Sequence, residues 1–149
     1  MRAILSVKPE YVELITKGEK KYEFRKSRFR KDVKEVFVYA TKPVMKVVLK
    51  FKVGKIIVDT PWNLWKRFRN LSGLSEAEFF SYFKNVNKGV AIEIKDVDIL
   101  PNPIALEEFA SISTPPQSWM YLPAEKSMDP EAYYFSDVSD ITLSPAKRL

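Results

Sequence analysis

LSVKPEYVELITKGEKKYEFRKSRFRK, residues 5–31, decides the fold. It reads as the end of a strand, a short helix, a tight turn, a second strand and a basic loop. Ala3 to Val7 is apolar enough for a short buried strand. Pro9 then sits at the first position of a helix, where its missing N–H costs nothing. Tyr11, Val12, Leu14 and Ile15 give that helix an apolar face. Gly18 follows as the residue that stops it. The N-cap slot holds Lys8, which breaks a local rule. Lysine offers no acceptor to the free N–H groups, and its charge opposes the positive end of the helix dipole. Two readings compete: Lys8 extends into solvent, or ammonium and helix end together form an anion site.

Working outward, Lys20 to Arg25 alternates. Tyr22 and Phe24 take the core side, and Lys21, Glu23 and Arg25 the other. Alone, that is the polar face of a half-buried strand with cross-strand ion pairs. It also sets two cations beside a carboxylate, which favours the ionised form of Glu23. Such a group can accept hydrogen bonds from a base edge or activate a water. The loop Lys26-Ser27-Arg28-Phe29-Arg30-Lys31 follows. Arginine forks suit phosphates, and an exposed aromatic can stack a base.

Downstream, Glu35 to Thr41 is apolar on both faces and is predicted to be a central strand. Met45 to Val53 alternates, with Met45, Val47, Leu49, Phe51 and Val53 inward and Lys46, Lys50 and Lys52 outward. That lysine face reads as solvated edge protection or as a second binding surface. At Gly54 the parity flips to Ile56 and Val58, which predicts a bulge or bend of the kind that closes small barrels. Thr60-Pro61 opens a helix with Trp62, Trp65, Phe68 and Arg69 on neighbouring turns. Ser75 and Glu78 form a capping-box pair before Phe79, Phe80 and Phe83. Helical spacing assigns these aromatics to the core, with base stacking as the competing reading. Val90, Ile92 and Ile94 make another strand, and the parity shifts again at Val97 and Ile99. Pro101 to Pro116 is a connector with a helical turn at Leu106 to Phe109. In PPQSWMYL, residues 115–122, the two prolines present Gln117 and Ser118, and Trp119 begins a last strand.

Composition bounds the chemistry. A chain of 149 residues, 46% apolar, suits one folded domain. With neither cysteine nor histidine, disulfides, thiolate nucleophiles and ordinary zinc sites are excluded. No metal or cofactor is expected. Any catalysis falls to carboxylates, lysine, tyrosine or a hydroxyl. No apolar run reaches a membrane span of about 20 residues, and the N-terminus lacks a signal-peptide layout. A soluble, cytoplasmic protein is the expectation. Charge is one-sided: residues 1–60 hold 16 Lys/Arg against 7 Asp/Glu, whereas residues 99–149 hold 3 against 7. A positive field of this kind attracts polyanions, or simply solubilises.

LSVKPEYVELITKGEKKYEFRK resembles the opening signature of ASCH domains, a PUA-like family. The pattern of strand, Lys-Pro, helix, Gly-x-Lys and alternating strand ending in Arg is met by Lys8, Pro9, Gly18, Lys20, Glu23 and Arg25. The resemblance extends over roughly residues 2–122. It implies a mixed α/β, PUA-like bent β-barrel of five to six strands with short flanking helices. The expected domain is 1–122, with an acidic extension over 123–149 packed on it or trailing from it, part of which Tyr133, Tyr134 and Phe135 would pin to the body. It further implies a cleft for RNA, another nucleic acid or a nucleoside. Lys8 would hold a phosphate, while Lys20, Lys21, Arg25, Arg28 and Arg30 line the groove. Glu23 or Gln117 would read base edges, with Ser118 and Tyr121 at the rim. A second function is implied by bacterial ASCH proteins that are amidohydrolases of N4-acetylcytidine through a lysine, a threonine and a glutamate. By position the lysine falls on Lys20, but the threonine falls on Glu23, and Glu76 and Glu78 read as ordinary helix residues. Catalysis would then need Glu23 to activate water beside Lys20.

Overall fold

A computed structural model describes residues 1–123. The elements in order are β1 (Arg2–Val7), α1 (Pro9–Thr16), β2 (Tyr22–Arg25), β3 (Glu35–Ala40), β4 (Lys46–Asp59), α2 (Pro61–Phe68), α3 (Glu76–Tyr82), β5 (Gly89–Ile104), α4 (Leu106–Ala110) and β6 (Trp119–Tyr121). The expected C-terminal extension, including Tyr133, Tyr134 and Phe135, lies outside the described residues. No described helix is long and apolar enough to cross a membrane.

Six strands form one curled half-barrel sheet in the order β2-β5-β4-β3-β1-β6. β1 and β3 pair in parallel, Ala3 opposite Val36 and Val7 opposite Ala40, and the crossover between them carries α1 and β2. Every other pairing is antiparallel. β3 is central as its two apolar faces demand. Val36 and Val38 enter one core with Ala3, Leu5, Val7, Leu49, Phe51 and Ile15 of α1. Phe37 and Tyr39 enter a second core under α4, with Ile4, Val47 and Leu106. A third core lies under α2 and α3, where Leu64, Trp65, Phe68, Phe79 and Phe83 cover Phe24 and Ala91.

Local chemistry sets the element ends. Gly18, at φ 78°, ends α1 and its N–H bonds Ile15 O. Thr60 caps α2 by accepting from Asn63 N. Ser75 and Glu78 close the capping box of α3. The bulge expected at Gly54 is present: the β4–β5 register shifts between Val53 and Ile56. A Cβ at Gly54 would collide with the Glu93 carboxylate, whose Oε1 accepts from Lys55 N at 2.9 Å.

Four expectations fail, the first being the burial of Trp62, which is exposed on α2. Met45 is exposed at a positive φ of 54°, because the chain is still turning before β4 begins. Val58 is exposed, because it lies past the bulge near the end of β4. Pro101 to Ile104 belongs to β5 rather than to a connector, and Ile104 pairs with Val47.

Candidate functional site

Ser6 and Val7 end β1, and the chain turns through Lys8 into α1. Lys8 is the N-cap and makes no side-chain cap hydrogen bond, so the positive end of the helix is left without a side-chain acceptor. Beside it β2 turns its polar side into the curl of the sheet. The sequence makes the face carrying Glu23 and Arg25 the polar side of a half-buried strand. Instead Glu23 is 7% and Arg25 8% exposed, and Lys20 just before the strand is 2% exposed.

These three charges hold one another. Glu23 Oε2 accepts from Arg25 Nη2, and Lys20 Nζ lies 3.4 Å from Glu23 Oε1. Lys20 also donates to Ser72 O at 2.7 Å, in a turn that Gly73 permits at φ 69°. Arg25 Nη1 donates to Ser118 Oγ at 2.9 Å, and Nη2 to Ser6 O at 3.0 Å. Arg25 Nε is buried with no hydrogen-bond partner. Burial pushes the Glu23 carboxyl up, but the charges of Arg25 and Lys20 and the hydrogen bonds from both outweigh it, and the net shift is downward. Glu23 is therefore ionised. Burial pulls Lys20 down, and the opposing attraction of Glu23 does not restore it. Two cations against one carboxylate leave the cluster positive.

A cavity of about 430 Å³ opens over this cluster. Ser6, Val7, Lys8 and Tyr11 form one wall; Lys20, Glu23, Phe24 and Arg25 form the floor. Leu74, Glu78, Ser81 and Tyr82 close the side facing α3. Tyr11 Oη donates to Glu78 Oε2 at 2.9 Å. Burial, and then the bond and charge of Glu78, push the Tyr11 hydroxyl up to about 12. Among the described residues no three acidic side chains gather as a metal would need.

Lys8, Lys20, Glu23 and Arg25 thus share one hollow. The other expected residues do not line it. Lys21 is exposed, and its backbone bonds Leu71 and Ile94. Arg28 and Arg30 are exposed on the basic loop, and Gln117 is exposed ahead of β6. Ser118 reaches the site through Arg25, and its carbonyl accepts from Ser6 N. Phe29 cannot serve as an exposed stacking ring, because it is buried edge-on against Trp119 with ring centroids 4.6 Å apart. Tyr121 is no free rim contact either: its hydroxyl accepts from Arg30 N and Lys31 N and so fixes the loop. Each Glu23 oxygen already has a cationic partner, Lys20 at Oε1 and Arg25 at Oε2. Sequence reasoning missed Tyr11, Glu78, Ser81 and Tyr82. Their signal was the i, i+3, i+4 stripe of Glu78, Ser81 and Tyr82, which the neighbouring phenylalanines obscured.

The sequence pattern of the ASCH domain matches residues 5–98. An ASCH domain-containing ribonuclease of Zymomonas mobilis is 32% identical over 130 residues, covering 84% of this chain and 86% of that protein. The crystal structure of ASCH from Zymomonas mobilis superposes with a TM-score of 0.76 at 27% identity, covering 90% of this chain and 94% of that one. Large ribosomal subunit protein uL22 of Ureaplasma parvum is 26% identical over 120 residues, which is 80% of this chain but 38% of that longer protein. The chain described here belongs to the ASCH domain family.

Proposed function

We propose that this ASCH domain binds RNA by taking one unpaired nucleotide into the cavity between α1, β2 and α3. The carrying observation is the hollow itself, where Lys8, Lys20 and Arg25 outnumber the carboxylates Glu23 and Glu78. A phosphate there would be drawn by the Arg25 guanidinium charge and pair with the Lys8 ammonium at the start of α1. Tyr11 and Tyr82 supply ring faces for the base. The Zymomonas relative, named as a ribonuclease, supports RNA as the polymer. Outside the hollow, Arg28 and Arg30 would meet the flanking backbone. Anisotropy titrations of short RNAs at several salt concentrations test the reading. Affinity should fall steeply as salt rises, because phosphate contacts release counterions. Absence of binding at low salt, or indifference to salt, overturns it.

A second reading, cleavage of the bound RNA, is favoured by the relative's name and by the lowered Lys20 amine. Only when it has lost its proton would Lys20 Nζ take the 2′-hydroxyl proton as the 2′-oxygen attacks phosphorus. Arg25 would stabilise the charge gained at the phosphoryl oxygens, and the departing 5′-oxygen would take a proton from the Tyr11 hydroxyl. Cleavage should persist in chelator, stop with 2′-O-methyl RNA and stop in Lys20→Met. Hydrolysis of N4-acylated cytidine has less support. Glu23 stands where the threonine would, and a carboxylate held ionised by two cations is a weak base.

A further inference from the structure

Trp62 is the tryptophan of α2 that the third core does not absorb. It opens α2 with 54% of its surface exposed, whereas Trp65 one turn later is buried. Its ring is held in place rather than loose: Phe80 of α3 lies 6.0 Å away between centroids at 33°, and Lys66 Nζ sits 5.8 Å from the ring centre. Between Thr60 and Leu71 the chain carries Lys66, Arg67 and Arg69 and no acidic residue. An exposed ring with a cation over it, in a basic stretch, is the surface on which single-stranded nucleic acid stacks.

Its position relative to the cavity gives the patch a partner. Ser81 and Tyr82 of α3 line the cavity, and Phe80 of the same helix backs Trp62. The ridge between them presents Ala77 and Ser81, both small and exposed. Crossing a helix means crossing about 10 Å, a step of a few nucleotides. Lys26, 4.8 Å from the Tyr82 ring centre, marks the near end of that path with the same ring-and-cation pairing.

We infer that Trp62, backed by Phe80 and flanked by Lys66, is a second stacking platform, which takes the base of a nucleotide a few positions along the strand from the one in the cavity. The inference rests on the RNA-binding reading above. It makes affinity depend on strand length, because a dinucleotide fills the cavity without reaching Trp62.

The test is anisotropy with labelled uridine dinucleotide and octanucleotide on the wild-type chain, Trp62→Ala and Trp62→Phe, with sedimentation of each protein alone. Trp62→Ala should weaken the octanucleotide by about tenfold, leave the dinucleotide unchanged, and be largely rescued by Trp62→Phe. An octanucleotide affinity unmoved by Trp62→Ala, while the wild type still binds both RNAs, overturns the platform and leaves the cavity standing. Equal loss for both RNAs also overturns it, since Trp62 would then act through the fold. Wild-type chain that binds neither RNA overturns the cavity reading and the platform together. Self-association abolished by Trp62→Ala, with RNA affinity intact, would make the patch a protein contact instead.

Discussion

Arg25 on β2 donates from Nη1 to Ser118 Oγ, 2.9 Å away, just ahead of β6. β2 and β6 are the two edges of the sheet, so one guanidinium ties together the ends of a ladder that does not close through backbone bonds. Ser6 O on β1 receives its other arm. Arg25→Gln should therefore cost more than a surface charge: it opens the curl and leaves Glu23 with Lys20 alone. Urea unfolding should show a loss of about 3 kcal/mol, the usual consequence of removing one partner from a buried pair. A loss within the range of a surface pair, about 0–1 kcal/mol, would mean that the edges are held by something else.

Glu23 gives the fold an acid dependence of known sign. Burial raises its carboxyl, Arg25 and Lys20 outweigh that, and the folded group titrates below the unfolded one. Its contribution is thus complete above the ordinary glutamate value of about 4.3 and is lost as pH falls through the folded one. Glu23→Gln should be less stable at neutral pH yet flatter below that value. Lys20 runs the other way: burial lowers it, so its penalty is present at neutral pH and is relieved as pH rises toward the ordinary lysine range. Denaturant midpoints measured across pH for wild type and Glu23→Gln check both slopes. Parallel acid limbs would remove Glu23 from the account.

Lys8 offers a trade between stability and binding. As an N-cap without an acceptor it is the wrong residue for α1. Lys8→Ser supplies the missing acceptor and removes a like charge from the dipole's positive end, and should stabilise the chain by about 1 kcal/mol. The same change should weaken RNA binding and lower its salt dependence, because one phosphate contact goes. A variant that is more stable and binds equally well would make Lys8 a solvated cap and nothing more.

Much of this corner was legible in residues 5–31 because its signals are local. Pro9, Gly18 and the alternation through Arg25 fix helix, stop and strand from neighbours a few positions away. The misplaced Lys8 marked the cavity mouth for the same reason. What the pattern could not carry is depth. Glu23 and Arg25 read as the polar side of a half-buried strand, and they sit inside because Ser118, 93 residues along, meets Arg25. Lys20 is buried because the turn at Ser72 and Gly73, 52 residues along, closes on it. Arg28 and Arg30 read as binding residues from the basic loop, and Gln117 from its two prolines and the family resemblance; all three lie outside the hollow. The α3 side of the hollow was hidden differently. Glu78 satisfied a capping box, and a residue with one local purpose attracts no search for a second.

That second purpose can be measured. Glu78 Oε1 accepts from Ser75 N in the capping box while its Oε2 accepts from the Tyr11 hydroxyl across the cavity mouth. Burial comes first among the reasons Tyr11 stands near 12, and the bond and charge of Glu78 come next. Glu78→Gln keeps an acceptor for Ser75 N but removes the charge facing the phenol. Tyr11 should then ionise between about 12 and the ordinary value of about 10, while Pro9–Thr16 and Glu76–Tyr82 stay helical. Ultraviolet titration of the variant against wild type, with Tyr11→Phe identifying the band, reads the shift. RNA should bind Glu78→Gln more tightly, since a carboxylate beside the phosphate site has been neutralised. A Tyr11 titration that does not move would assign the whole elevation to burial and leave Glu78 a helix cap.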